Sequence, residues 1–239
     1  MPYYYYGFDW TYLFIVLPCI LLSLWASSSV KTTFNKYSKV NSIRHLTGAE
    51  AAQRVLAANG VRGVRIERVS GDLTDHYDPK TNVIRLSDSV HSSTSVAAIG
   101  VDAHEAGHAV QYAENYGPIK LRAAIIPITN IGSRIAMPLI LAGIVFSFLG
   151  GLSDTLVDLG ILAFSLSLVF QLVTLPVEFN ASRRAMTAIE SAGLLTHEEQ
   201  QGAKRTLKAA AMTYVAATAV ALAQVVRLMV LFGGRRRRD

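Results

Sequence analysis

The sequence predicts a mostly α protein: multi-pass membrane helices with a small α+β region, in which a short antiparallel sheet lies beside one histidine-bearing helix. Three observations lead there. The 239 residues are 51% hydrophobic and only 17% charged, with mean hydropathy +0.32, too apolar for an ordinary soluble domain of this length. Residues 11–30, 135–153 and 159–177 carry no charge at all, and about twenty apolar residues suffice to span a bilayer as a helix. Between the first two runs, three short apolar segments separated by turn chemistry lead into a helical pattern.

The net charge is +6. The basic residues cluster beside the apolar runs, the pattern of membrane-flanking charge, and no aromatic-rich basic groove points to nucleic acid. The single cysteine, Cys19, lies inside an apolar run. It excludes an intrachain disulfide and is not expected to bind metal.

The chain opens with aromatic residues 1–10, without lysine or arginine. A basic leader region is missing, which argues against a signal peptide. The tyrosines at 3–6, Trp10 and Trp25 suit interfacial belts. Lys31, Lys36, Lys39 and Arg44 follow the first span, with no acid before Glu50. The positive-inside rule therefore places the N-terminus outside and residue 31 onward in the cytoplasm.

Residues 47–59 read as a helix, opened by a Thr47/Glu50 capping box and stopped at Asn59-Gly60. Residues 64–69, 73–77 and 83–86 read as strands of a small antiparallel meander, with Ser70-Gly71-Asp72 and Asp78 to Asn82 as its turns. At the sheet edge, the strand Val83 to Leu86 could bind an extended peptide by strand addition; the alternative is a plain structural strand.

The next helix carries the chemistry. Val96, Ile99, Ala103, Ala106 and Val110 recur at helical intervals, with Ser92, Ser93 or Thr94 as the cap. On it stands His104-Glu105-Ala106-Gly107-His108. Residues four apart share a helix face, so both imidazoles can reach one metal ion, and Glu105 lies close to a water bound there. Zinc with an open position lowers the pKa of its water from about 15.7 to about 7, and Glu105 can then act as general base. The pattern thus reads as a zinc hydrolase, against a helix with two ordinary histidines. A small residue at 107 would let another element approach closely.

Lys120, Arg122 and Arg134 flank a transmembrane hairpin at one end and Arg183 and Arg184 at the other, with an acidic outer loop from Asp154 to Asp158. Thr196 with Glu199 is a second capping box, opening a long helix. Residues 209–226 are uncharged, but Arg235 to Arg238 follow. A fourth crossing would put those arginines outside, against the charge rule. The segment either crosses regardless or packs without crossing.

The third ligand cannot be local. Between Glu114 and Asp154 there is no acid or histidine, and Asp154 and Asp158 fall on the outer side. Glu114 and Gln111 also break the extended His-Glu-x-x-His-x-x-Gly-x-x-His pattern. The first acid back on the cytoplasmic side is Glu178. It would complete a two-histidine, one-glutamate site with water in fourth place, the arrangement of a catalytic zinc. The alternative is an interfacial glutamate paired with Arg183 or Arg184.

HEAGHAVQ at 104–111, LPVEFNASRRA at 175–185, the opening PYYYYGFDWTYL and the stretch HYDPKTNVIRLS resemble the YugP family of membrane zinc metallopeptidases, from residue 1 to about 230. That family is distantly similar to HtpX-type peptidases, whose third ligand is a glutamate on a later helix. The resemblance implies a zincin-like, gluzincin-type multi-pass protease. It also implies one zinc, held by His104, His108 and Glu178, with Glu105 as base. The family pattern has aspartate where Asn180 stands, a departure in this chain.

The expected division is 1–30 N-terminal transmembrane helix, 31–122 cytoplasmic zinc-binding α+β region, 123–177 transmembrane hairpin, 178–208 helix with the third ligand, and 209–239 apolar helix and basic tail. The expected partners are the bilayer and protein or peptide substrates. The alternatives are a non-proteolytic membrane adaptor with structural zinc and a zinc amidohydrolase on a non-peptide substrate. Among other residues, His91 could lie near the site, while His45, His76 and His197 read as surface, strand or turn residues. Arg183, Arg184, Tyr112 and Tyr116 are candidate oxyanion donors, each with a blander headgroup, pairing or packing role. Asp102 is poorly spaced to orient a ligand histidine.

Overall fold

The structure is a computed structural model that describes residues 9–233. The tyrosines at 3–6 and the arginines at 235–238 lie outside the described residues. In chain order, a π-helical stretch Tyr12–Val16 leads into α1 (Leu17–Tyr37). Then come α2 (Gly48–Ala58), β1 (Arg65–Val69), β2 (His76–Asp78), β3 (Val83–Ser87), α3 (Asp88–His91) and α4 (Val96–Ala113). The chain continues with α5 (Gly117–Val145), α6 (Gly151–Ser191) and α7 (His197–Phe232). Tyr12–Tyr37, α5, α6 and α7 are long and apolar enough to cross a membrane.

The chain divides into two compact units. The first comprises Met1–Trp25, Ala124–Leu172 and Val215–Asp239. Its hairpin is packed by small residues that let backbones approach. A Cβ at Gly143 would stand 2.8 Å from the Ser153 carbonyl, and one at Gly160 2.9 Å from the Ala136 carbonyl. The Ser153 hydroxyl donates to the Gly143 carbonyl at 2.6 Å. Outward side chains such as Ile131, Leu141 and Leu162 stay exposed, an apolar surface suited to lipid. Arg227 pairs with Asp9 and lies over the Tyr12 ring.

The turn of this hairpin differs from expectation. It falls at residues 146–150, and Asp154 to Asp158 lie within α6. Gly150, at φ 56°, supplies the left-handed turn, and Asp154 sits in the first helical turn, where the helix dipole favours an acid. Residues 209–226 likewise belong to one unbroken helix with 197–208.

The second unit comprises Ala26–Ala123 and Val173–Tyr214. Its core gathers Val55, Leu56, Ile84, Leu86, Ile99 and Ile189. Helix α4 runs through the middle, buried over most of its length. The cap of α4 is Ser95, whose hydroxyl accepts from the Ala98 amide at 3.2 Å, rather than a residue from 92–94. Ser93 instead braces Ser95. Both capping boxes form: Thr47 with Glu50, and Thr196 with Glu199. Glu199 also accepts from the Ile43 amide at 2.7 Å.

The sheet is mixed rather than an antiparallel meander. Its order is β1-β3-β2, with β1 parallel and β2 antiparallel to β3. The turn Asp78 to Asn82 does join β2 and β3 as a hairpin. Residues 70–75, in contrast, carry the chain across to the far side of β3, so β1 and β2 never pair. This makes β3 the central strand, largely buried, paired along its length with β1 and over Val83–Arg85 with β2. It is therefore not an edge strand open to an added peptide. β2 is the edge strand next to α4.

Candidate metal centre

Helix α4 presents His104 and His108 on one face, their rings 4.7 Å apart. Gly107 lets α6 come close: a Cβ there would lie 2.8 Å from the Ala181 carbonyl. That close approach lets Glu178 of α6 reach the two imidazoles. Its Oε2 stands 3.3 Å from His104 Nε2 and 3.5 Å from His108 Nε2. Glu178 is 2% exposed, and this Oε2 has no hydrogen-bond partner among the described residues. A buried carboxylate oxygen without a partner is costly. One aimed at two imidazole nitrogens is the donor set of a zinc ion. The residues present therefore fit the metal. Among the described residues they form the one His/Cys/Asp/Glu group with ligand atoms close enough for this.

Each member is held from behind. His104 Nδ1 lies 3.1 Å from the Ser182 hydroxyl, and His108 Nδ1 lies 3.0 Å from Gln111 Oε1. Gln111, fully buried, donates onward to the Val177 carbonyl at 2.8 Å and to Asn180 Oδ1 at 2.9 Å. Arg122 donates to the other Glu178 oxygen at 2.8 Å. Such outer partners set ring orientation and ligand basicity. Asn180 accepts from both Gln111 and Arg184. Its amide oxygen thus does the accepting for which a carboxylate was expected.

Glu105 lies on the same helix beside this cluster. The backbone amide of Tyr77, on edge strand β2, donates to Glu105 Oε2 at 2.9 Å. A cavity of about 190 Å³ opens here, its polar side formed by Asp75, His104, Glu105, Glu178, Ser182 and Tyr214. Burial pushes the Asp75 carboxyl up, although Ser87 donates to it through both amide and hydroxyl. Burial pulls His108 down, but the adjacent carboxylates of Glu178 and Glu105 more than offset this, and its pKa is raised.

The other residues weighed above fall outside the cluster. Asp102 is fully buried with its carboxyl against Gly48, at the head of α2, where an added Cβ would collide with it. Burial raises its pKa well above its ordinary value. Arg184 pairs with Glu114 at 2.6 Å and lies over the Tyr116 ring. Glu178 pairs with Arg122, not with Arg183 or Arg184. Tyr112 packs on Tyr77. His91 contacts Ser92, and His76 contacts the Thr74 carbonyl.

Sequence reasoning missed Arg122, Gln111, Ser182 and Tyr214. Two had a signal: Gln111 is one helical turn past His108, and Ser182 one turn past Glu178, each on the candidate ligand's own face. Arg122 read only as membrane-flanking charge, and Tyr214 as a polar residue in an apolar run.

The pairing of an HExxH helix with a glutamate from a later helix defines a metallopeptidase-like centre. The chain belongs to the family described as "Putative neutral zinc metallopeptidase", whose profile it matches over residues 12–233. It is 46% identical over 221 residues to the "Putative membrane protease YugP" of Bacillus subtilis (strain 168), covering 92% of this chain and 96% of that protein. No solved structure matches it.

Proposed function

We propose that this protein is a membrane-embedded zinc-dependent endopeptidase of the gluzincin type, acting on membrane or membrane-proximal proteins. One observation carries the reading. A buried, unpartnered Glu178 oxygen faces the Nε2 atoms of His104 and His108, with Glu105 at the same cavity. His104, His108 and Glu178 would hold one zinc, and the family and its membrane-protease relative support that choice. When bound, zinc supplies Lewis acidity for the carbonyl and lowers the pKa of water.

The rest is done by the chain. Arg122 occupies one oxygen of Glu178 and leaves the other for the metal. Ser182 and Gln111 keep Nε2 of each histidine turned inward. The Tyr77 amide steadies Glu105 through Oε2, leaving Oε1 to accept a proton from the attacking water. The water oxygen bonds to the peptide carbonyl carbon. Glu105 then gives the proton to the amide nitrogen as the C–N bond breaks. General acid–base help of this kind is worth about 10²–10⁴-fold.

The site belongs on the cytoplasmic face of the cell membrane in this reading. The basic residues Lys31, Lys36, Lys39, Lys120, Arg183 and Arg184 flank the apolar runs, and the positive-inside rule supports that side. The test uses full-length protein, zinc-loaded, with unfolded casein as substrate. Wild type should cut it, and Glu105→Gln should keep its zinc and lose at least about 10²-fold in rate. Intact casein with zinc-bound wild type, or a fully active Glu105→Gln, would overturn the proposal.

A further inference from the structure

The cavity at the metal centre has a second, apolar half. Val30 and Phe34 of α1 form one wall, Leu207, Ala210 and Ala211 of α7 another, and Val101 of α4 joins them. Val30 with Phe34, and Leu207 with Ala211, are four apart and so present one face of each helix. Both helices are candidate membrane spans. The two alanines keep the α7 wall low.

We infer that this apolar half is a substrate subsite, which takes a large apolar side chain of leucine, methionine or phenylalanine size next to the scissile bond. The inference rests on the peptidase reading and adds its substrate class. The argument is continuity. A reacting carbonyl must come within about 3–3.5 Å of the attacking atom, and so beside Glu105 and the His104–Glu178 cluster. The side chain next to that carbonyl then has the remainder of the same cavity of about 190 Å³ to fill. Its ionisable groups Asp75, Glu105 and Glu178 lie on the polar side, so a charged side chain placed among the apolar walls would be desolvated without a partner. Asp75 is held back by Ser87, whose amide and hydroxyl both donate to it. Apolar walls reward matched apolar volume. The preferred substrates are therefore polypeptide stretches rich in large apolar residues, such as unfolded or membrane-derived segments.

The test maps cuts in a peptide series that varies one residue among Gly, Ala, Leu, Phe, Lys and Asp, using full-length zinc-loaded protein. Glu105→Gln identifies cutting that belongs to this site. At one position flanking the cut, Leu or Phe should exceed Ala by at least about tenfold in kcat/KM, the discrimination available to an apolar pocket. Ala210→Leu should fill the subsite and reduce the Leu-to-Ala ratio. Phe34→Ala should enlarge it and move the optimum to larger side chains. Thermal unfolding and zinc content show whether each variant is folded, and the two variants shift preference in opposite directions, so either alone is a test. Glu105-dependent cutting with a flat profile, or one led by Lys or Asp, overturns the subsite and leaves the peptidase reading standing. Absence of any Glu105-dependent cutting overturns the peptidase reading, and the subsite with it.

Discussion

The hairpin between α5 and α6 and the metal centre around α4 both bring helices close through glycine, but they are specified differently. In the hairpin, Gly143 and Gly160 meet backbone carbonyls and aliphatic side chains, and size alone decides the fit. At the centre, Gly107 gives the same close approach to α6. There it serves to align directional groups: Ser182 on His104, Gln111 on His108, Arg122 on Glu178. A size-specified contact tolerates any small residue. A direction-specified one needs a particular donor or acceptor at each position. The comparison therefore predicts graded metal losses at the centre and purely packing losses in the hairpin.

The largest effect should come from Glu178→Ala. It removes one of the three proposed ligands and leaves Arg122 without its partner, so bound zinc should fall from about one per chain to a small fraction, by metal analysis after gel filtration. A variant that still holds one zinc tightly would remove Glu178 from the site. Next is Gln111→Leu, which keeps volume but takes away the support of His108 Nδ1 and the bonds to Val177 and Asn180. Loss of such an outer partner costs about 10–100-fold in metal affinity, readable by chelator competition. Unchanged affinity would mean that His108 needs no support from behind.

The hairpin provides the contrasting arm. Gly160→Leu drives a side chain into Ile140 and the Ala136 backbone. Overpacking costs about 1–3 kcal/mol, so the melting temperature should drop while zinc affinity per folded molecule stays as in wild type. A selective loss of zinc would break the distinction drawn here.

The smallest effect concerns pH. Burial raises the folded-state pKa of Asp75. A raised pKa means that the folded state binds the proton more tightly than the unfolded one. The associated stability is present below the unfolded value, near pH 4, and is lost as pH rises through the folded value. Asp75→Asn cannot ionise, so its stability relative to wild type should improve as pH rises from about 4 through that window, by urea unfolding of zinc-free protein. A parallel pH dependence for the two proteins would show that Asp75 is not held up by burial.

Much of this was legible from local pattern. Thr47/Glu50 and Thr196/Glu199 announced their helices because a capping box is a contact within four residues. The helical period around residue 104 put two histidines and a glutamate on one helix, since period depends only on backbone geometry. Glu178 was reachable by elimination of the acids before it. The hairpin turn was misplaced by several residues because two acids read as a loop, whereas an acid in the first turn of a helix is equally well satisfied. The sheet was misread because strand order is set by where residues 70–75 carry the chain, and turn residues do not encode that.

By itself, then, the sequence determined the elements, the apolar helices, and the HExxH helix with its candidate third ligand, all consequences of short-range spacing and hydropathy. Only the tertiary structure decided which side chains stand behind the ligands. Arg122 and Glu178 are 56 positions apart, and His104 and Ser182 are 78 apart. They meet because Gly107 lets α6 lie against α4. Such a pairing depends on how two helices pack, and it leaves no periodic trace in either one.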